Sequence, residues 1–192
     1  MKLYFVRHGR TVWNLEGRFQ GAGGDSPLLE ESIETLKKLG KYLQEIPFDV
    51  IYSSDLPRAV TSAQIIQSQL KDSCPLKETP SLREWQLGKL EGEKFATLKA
   101  IYPEQMNALR SNLAKFDSTM FGAESVYQTT QRTIHFVKSL QNQNFDHVLI
   151  VGHGANLTAS IQSLLGYHTH LLRKNGGLAN ASLTIIETDD FE

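Results

Sequence analysis

Three short, almost entirely apolar segments constrain the fold of this chain more than any other feature of its sequence. They are KLYFV at residues 2–6, DVIYSS at residues 49–54 and HVLIVGH at residues 147–153. Apolar runs of this length are typical of strands that are covered on both faces. Because helical patterns separate them, they predict an α/β fold with a mainly parallel sheet and helices on both faces.

Amphipathic patterns fill the gaps between these strands. In the gap between the second and third apolar strands, a helix is expected to begin near Pro57, because proline favours the first turn of a helix. Two more helices are predicted within residues 124–141 and 155–166, and a last strand within residues 181–188. The first gap, at residues 27–46, predicts an amphipathic helix, since its apolar residues recur every three or four positions. These residues are Leu29, Ile33, Leu36, Leu39, Leu43 and Ile46.

Residues 92–122 interrupt the alternation of strands and helices. They contain two helical stretches broken at Pro103, and no strand pattern. We expect this segment to be a helical insert that lies over the sheet edge and the functional site. Since the chain has no internal repeat and no linker-like tract, a single domain over residues 1–192 is predicted.

Charge and composition restrict the partners and the location of the protein. Lys and Arg number 20 against 21 Asp and Glu, so the net charge of -1 provides no global field that would attract nucleic acid or a membrane surface. No apolar run reaches the roughly 18 residues of a membrane helix, and a strand pattern stands where a signal peptide would be, so we expect a cytoplasmic protein. The lone Cys74 and the pair His168 and His170 give no basis for a metal site.

Histidines, arginines and glycines cluster where the three apolar strands end. In a parallel sheet the carboxyl ends of neighbouring strands meet at one crevice, which is where such folds bind ligands. Glycine N–H groups, helix N-termini and arginine side chains all bind phosphoryl oxygens well. The residues at these exits are Arg7, His8 and Gly9, then Ser53, Ser54 and Arg58, and finally Gly152, His153 and Gly154.

This cluster contains the groups that phosphoryl transfer requires. A neutral imidazole can attack phosphorus and form a phosphohistidine, and His8 beside Arg7 suits that role. His153 would donate to the phosphoryl oxygens, and Glu84 is a candidate for moving the proton of the leaving group. Taken singly, each residue also has a structural interpretation: His8 as a strand-end cap, His153 as a packing residue, and Glu84 as the ion-pair partner of Arg83.

Several motifs in chain order resemble the histidine phosphatase superfamily, which is also called the phosphoglycerate mutase-like family. They are LYFVRHGRTVWN, SSDLPRAVTSA, Glu84 followed by LGKLEG, then GAES and GHG, and they extend from Leu3 to about Ser182. The resemblance implies a three-layer α/β/α sandwich with one antiparallel strand, and an activity that needs no metal or other cofactor.

The resemblance also implies a role for each matched residue. His8 would be the phosphorylated nucleophile, Glu84 the proton donor and His153 the residue that completes the pocket. Arg7 and Arg58 would clamp the phosphoryl group. The substrate-binding candidates are Asn14, Gln20, Gly21, Gly154 and Asn180.

Three functions remain open at this point. Mutases of the family carry a His-Tyr type pair after the glutamate and a double arginine in a longer insert, whereas here Trp85 and Gln86 follow Glu84 and Arg110 is the only arginine of the insert. This favours a phosphatase acting on a small phosphorylated metabolite over a cofactor-dependent phosphoglycerate mutase. A non-catalytic module that binds phospho-ligands is disfavoured, because it would not need Glu84. No motif specifies the leaving group or an oligomeric state.

Overall fold

The computed structural model describes residues 1–190, so the last two residues of the predicted domain lie outside the described part of the chain. Five strands form one sheet in the order β3-β2-β4-β1-β5. β1 pairs antiparallel with β5, and the other pairs are parallel, which confirms the predicted mainly parallel sheet with one antiparallel strand. The strands are β1 Lys2–Arg7, β2 Val50–Ser54, β3 Leu76–Thr79, β4 His147–Gly152 and β5 Leu183–Glu187.

Seven α-helices connect and cover these strands within residues 1–190. The first long helix is shorter at both ends than its apolar pattern, and the second begins at Pro57 as the sequence predicts. No helix of the described residues has the length and apolar character needed to cross a bilayer. The helices are α1 Val12–Glu16, α2 Glu30–Leu43, α3 Pro57–Gln67, α4 Phe95–Ile101, α5 Pro103–Ser111, α6 Val126–Ser139 and α7 Gly154–Leu164.

Two apolar cores, one on each face of the sheet, create the three layers. On β1, Tyr4 and Val6 point to the core shared with α2 and α3. Leu3 and Phe5 point to the opposite core, which α6 and α7 complete. Because alternate residues of a strand face opposite sides, a central strand that packs against helices on both faces must be apolar throughout. The predicted three-layer α/β/α sandwich is therefore confirmed.

The helical insert has an apolar core of its own. α4 and α5 meet at Pro103, which is the first residue of α5 and therefore leaves the helical hydrogen bonds of α5 intact. The ring of Trp85 packs edge-to-face on Phe116 with 5.9 Å between ring centroids. Ala159 of α7 and Leu172 belong to the same cluster, so this core attaches the insert to the end of the sheet where α7 begins.

Candidate active site

A cavity of about 390 Å³ opens at the carboxyl end of β1. Its wall combines the start of α1, the loop that follows α1, the insert, the first turn of α7 and the loop after residue 171. Glu84 is the one carboxylate among the described residues that line it, against five arginines. These are Arg7, Arg10, Arg18, Arg110 and Arg173. This cavity therefore favours an anionic ligand.

His8 follows β1 directly and lies in the cavity wall, although only 3% of its surface is exposed. Its Nδ1 is 2.7 Å from the carbonyl oxygen of Gly9. Because a carbonyl only accepts hydrogen bonds, Nδ1 carries the proton, and in a neutral ring Nε2 then carries the free lone pair. Burial, together with the positive charges of Arg7 and Arg58, holds the pKa of His8 well below its usual value. Its surroundings thus favour the neutral imidazole over the charged form.

His153 lies behind His8, at the junction between β4 and α7. The two ring centroids are 5.2 Å apart. Nε2 of His153 is 2.7 Å from the hydroxyl oxygen of Ser54 at the end of β2, and its buried Nδ1 has no hydrogen-bond partner among residues 1–190. Burial, followed by the charge of Arg58, holds the pKa of His153 well below its usual value. Three neighbouring strand ends thus contribute directly to one pair of imidazoles.

Arg7 is fixed by the backbone around it and keeps a buried donor unused. Its Nη1 donates to the carbonyl oxygen of Leu178 at 2.6 Å, whereas its buried Nε has no partner in residues 1–190. A Cβ atom at Gly154 would lie only 2.8 Å from this guanidinium group, so the first residue of α7 has to be glycine for Arg7 to take this position.

Arg58 is 1% exposed and holds the loop that follows α1. Its Nη1 donates to the carbonyl oxygen of Gly24 and to the carboxylate of Asp25, at 2.6 and 2.8 Å. Its Nη2 donates to the carbonyl oxygens of Gln20 and Gly21, at 3.1 and 2.9 Å. Only Nε, which is buried, has no partner within the described chain. Arg58 therefore both orders this loop and retains one donor.

Glu84 lines the cavity and is held by the main chain. Its Oε1 accepts from the N–H groups of Trp85 and Asn156, both at 2.8 Å, and its Oε2 accepts from the N–H of Ala155 at 2.9 Å. The donors at residues 155 and 156 belong to the first turn of α7, where N–H groups have no partner within the helix. The start of α7 thus fixes the orientation of the Glu84 carboxyl group.

The substrate-binding candidates divide into two groups. Asn14, Gln20, Gly154 and Asn180 line the cavity, and the side-chain amide of Asn180 donates to the His8 carbonyl oxygen and to Asn14 Oδ1, both at 3.2 Å. Gly21 does not line it. Its N–H donates to Glu91, and a Cβ atom there would lie 2.4 Å from the carbonyl oxygen of Trp85, so Gly21 allows close packing of the loop.

Sequence reasoning missed most of the cationic lining. Arg173 lies in the loop after α7, where no periodicity or motif marks it, and its Nη1 donates to the carbonyl oxygen of Leu109 at 2.9 Å. Arg10 directly follows the Arg-His-Gly tripeptide, and this position next to the motif is the one sequence feature that could have indicated its place in the cavity wall. The single arginine of the insert therefore gives too low an expectation of the number of arginines in the cavity wall.

His168 and His170 do not contribute to the cavity. Their rings are stacked with centroids 6.2 Å apart. Among residues 1–190, no group of three or more His, Cys, Asp or Glu side chains is placed to hold a metal ion.

Comparisons with known proteins agree with this geometry. The chain is 30% identical over 192 residues to a probable phosphoglycerate mutase from Proteus mirabilis, an alignment that covers 97% of this chain and 85% of the relative. The structure is similar to that of YhfR from Bacillus stearothermophilus, with a TM-score of 0.88, 29% identity and coverage of 98% and 91% of the two chains. It is also similar to a mycobacterial glucosyl-3-phosphoglycerate phosphatase, with a TM-score of 0.85, 27% identity and coverage of 97% and 92%.

The family model described as histidine phosphatase superfamily, branch 1, matches residues 3–192, which include all strands and helices of the sandwich except Lys2, the first residue of β1. The matched segment begins just before the Arg-His-Gly tripeptide and ends beyond the antiparallel strand. With the fold, the paired imidazoles and these similarities in agreement, the chain belongs to branch 1 of the histidine phosphatase superfamily.

Proposed function

We propose that this protein is a metal-independent phosphatase that hydrolyses a small phosphorylated metabolite in the cytoplasm, through a phosphohistidine formed on His8. Its superfamily and its similarity to a solved phosphatase support an enzyme of the phosphoric monoester hydrolase type. One observation carries the proposal: the hydrogen bond from Nδ1 of His8 to the Gly9 carbonyl oxygen leaves Nε2 with the lone pair, and three neighbouring side chains each have a buried nitrogen without a partner in residues 1–190. These nitrogens are Nε of Arg7, Nε of Arg58 and Nδ1 of His153, the last of which is a donor when it is protonated.

The unpartnered donors match the needs of a phosphoryl group. Buried polar atoms in native proteins nearly always have hydrogen-bond partners, so several exceptions at one site call for an explanation. The peripheral oxygens of a phosphoryl group would supply acceptors for all of them. Donors fixed in advance around a developing charge stabilise the transition state without reorganisation, and this is the largest contribution to catalysis in many enzymes.

The reaction we propose has two steps. First, Nε2 of His8 attacks phosphorus, the bond from phosphorus to the ester oxygen breaks, and the carboxyl group of Glu84 gives its proton to that oxygen, so the alcohol leaves. Second, Glu84 accepts a proton from water as the water oxygen attacks phosphorus, the bond from phosphorus to Nε2 of His8 breaks, and inorganic phosphate leaves with His8 regenerated. Glu84 lies in the wall of the cavity, where both proton transfers would take place.

Phosphoglycerate mutase is the second candidate, and two observations favour it. Curated relatives at 30% identity bear that name, and Arg10 and Arg173 add cations that help a mutase retain its released monophosphate. The sequence of the insert, with Arg110 as its one arginine, supports the phosphatase. So does the similarity to the mycobacterial phosphatase.

The test compares phosphate release with phosphoryl transfer between phosphoglycerate isomers in the presence of EDTA. We expect release of inorganic phosphate from a panel of small phosphomonoesters, with no dependence on added divalent metal. Isomer exchange faster than release would establish the mutase instead. Tight phosphate binding without turnover of any ester would indicate a non-catalytic binding module.

A further inference from the structure

Neutral His153 carries one proton, which either of its two ring nitrogens could hold. The ring is fully buried, and burial followed by the charge of Arg58 holds the pKa of His153 well below its usual value, so the neutral form is favoured. The two neutral tautomers differ in which nitrogen donates a hydrogen bond and which accepts one. The proposed reaction uses Nδ1 of His153 as a donor, so a neighbouring group has to select that tautomer.

Ser54 is the hydrogen-bond partner of this imidazole. It is the last residue of β2, it is fully buried, and its Oγ lies 2.7 Å from Nε2 of His153. The same Oγ accepts the N–H of Leu56 at 3.2 Å. Within residues 1–190, Nε2 of His153 is the one acceptor recorded for the hydroxyl hydrogen. Because a buried hydroxyl group nearly always donates its hydrogen to a partner, Ser54 donates to Nε2.

The opposite arrangement of protons leaves more buried atoms unpaired. If Nε2 donated to Ser54, the hydroxyl hydrogen would have no acceptor, and the lone pair of Nδ1 would have no donor, among the described residues. If Ser54 donates, the Nδ1–H group is the one part of this pair that lacks a partner. Each unpaired buried polar group costs free energy. The surroundings therefore favour the tautomer with the proton on Nδ1.

A phosphoryl group would pair the one donor that remains. The His153 ring lies 5.2 Å from the ring of His8, and the charges of Arg58 and Arg7 act on it. The peripheral oxygens of a phosphoryl group accept hydrogen bonds, so they attract an Nδ1–H group and repel an Nδ1 lone pair. The tautomer thus decides whether His153 stabilises or opposes the bound anion.

We propose that Ser54 is a positioning residue that holds His153 in the tautomer protonated at Nδ1 and so makes it a donor to the phosphoryl group. The Ser54 hydroxyl is bonded to the imidazole and to the N–H of Leu56, so it acts through His153 and not on the ligand. β2 and β4 are hydrogen-bonded neighbours, so the sheet itself sets the distance between the serine and the histidine. This inference rests on the proposed function, since it explains how His153 serves the same site.

Nuclear magnetic resonance measures the tautomer directly. Two-bond ¹H–¹⁵N correlation spectra of histidine-labelled protein show which nitrogen of each ring is protonated, and the signals of His153 are those missing from His153→Gln. We expect Nδ1 to be protonated in the unmodified protein. In Ser54→Ala, Nε2 loses its donor, so a population protonated at Nε2 should appear.

Ser53→Ala is the matched control for these spectra. Ser53 precedes Ser54 in β2 and is equally buried, and its hydroxyl donates to the Ser54 carbonyl oxygen at 2.7 Å. It has no recorded hydrogen bond to His153, so Ser53→Ala should keep the proton on Nδ1.

Turnover measures what the tautomer contributes to the reaction. Ser54→Ala should lower kcat for glycerol phosphate and nitrophenyl phosphate alike, by about 10- to 100-fold. This is less than the effect of losing a preorganised donor outright, because part of the rings keep Nδ1 protonated. In a His153→Ala background the same substitution should change kcat by less than about twofold, since the group through which Ser54 acts is gone. Ser54→Thr retains the hydroxyl and should recover part of the rate.

Three results would overturn the proposal: a proton on Nε2 of His153 in the unmodified protein, an unchanged tautomer in Ser54→Ala, or the full loss of kcat in the His153→Ala background. The spectra decide the proposal even if His153→Ala does not fold. They also need no turnover, so failure of the unmodified protein to hydrolyse any ester would contradict the proposed function and leave the assignment of the tautomer interpretable.

Discussion

The two ends of the cavity are built in different ways. The phosphoryl pocket, formed by Arg7, His8, Arg58, Glu84 and His153, is at most 6% exposed at every residue except the partly buried Arg7. The insert wall, formed by Phe95, Leu109, Arg110 and Arg173, includes the exposed Arg110 and two partly exposed side chains. The first lies where strands end and helices begin. The second is made by side chains of two surface helices and one loop.

This difference predicts that the phosphoryl pocket carries out the reaction and that the insert wall determines which substrate is preferred. Residues of the phosphoryl pocket are held by backbone that the sheet itself fixes, so small displacements are resisted by the whole core. Residues of the insert wall are held by a few local contacts. We therefore expect substitutions of the phosphoryl-binding residues of the pocket to change the rate for every substrate, and substitutions in the wall to change the preference among substrates. Glu84 differs from the rest of the pocket, because its effect depends on whether the leaving group needs a proton.

The largest effect should follow from removing the nucleophile of the phosphoryl pocket. His8→Ala is expected to lower turnover of nitrophenyl phosphate by at least about 10⁴-fold and to abolish acid-labile labelling by radioactive phosphate, since no phosphohistidine can form. His135→Ala, which changes an exposed histidine of α6, is the matched control. Labelling that persists in His8→Ala would place the covalent chemistry elsewhere.

Replacement of Arg58 tests whether the pocket depends on its buried cation. Arg58→Ala should lower kcat by about 10²–10³-fold for every substrate, the usual effect of losing one preorganised donor. Arg58→Lys should recover a part of this, because lysine retains the charge and loses the several donors that hold residues 20–25. A loss below about tenfold in Arg58→Ala would remove Arg58 from the phosphoryl pocket.

Substitution of Glu84 separates proton transfer to the leaving group from the other functions of the phosphoryl pocket. Glu84→Gln should lower kcat/KM for glycerol phosphate by about 10²-fold, because an alkoxide needs a proton to leave. For nitrophenyl phosphate, whose leaving group is stable as an anion, we expect a loss below about tenfold. Equal losses for both esters would indicate that Glu84 positions the start of α7 and does not transfer the proton.

The smallest effect concerns stability and distinguishes buried from exposed histidines. The folded protein holds the pKa of His8 and of His153 well below its usual value, so below about pH 6.5 the unfolded chain binds more protons than the folded one. The free energy of unfolding should then be unaffected above that pH and fall as the pH drops below it.

Urea unfolding at about pH 7.5 and about pH 5.5 measures this fall. It should be smaller in His153→Gln than in the unmodified protein by about 1 kcal/mol. His135→Gln, at an exposed position, should show the full fall. If His153→Gln also shows the full fall, protonation of the buried imidazole does not contribute to acid destabilisation.

Much of the fold and of the phosphoryl pocket could be predicted from the sequence. The apolar strands and the proline at the start of α3 are local signals, and the topology of a parallel sheet then brings the residues after β1, β2 and β4 together. The predicted residues His8, Glu84 and Arg7 line the cavity, with Arg58 and His153 buried beside it. Glu84 was the weakest of these predictions, because its partners are main-chain N–H groups of a distant helix start.

The sequence by itself determined the layers of the sandwich and the strand ends at which the histidines lie, because strand and helix periods and the Arg-His-Gly tripeptide are properties of neighbouring residues. Only the tertiary structure decided that Arg173 lies against Leu109, 64 residues away in the chain, and so beside Arg110. No periodic pattern encodes a contact between a loop and a helix end. The contact between Arg173 and Leu109 follows from the packing of the insert on α7, and the presence of two arginines in the insert wall depends on that packing.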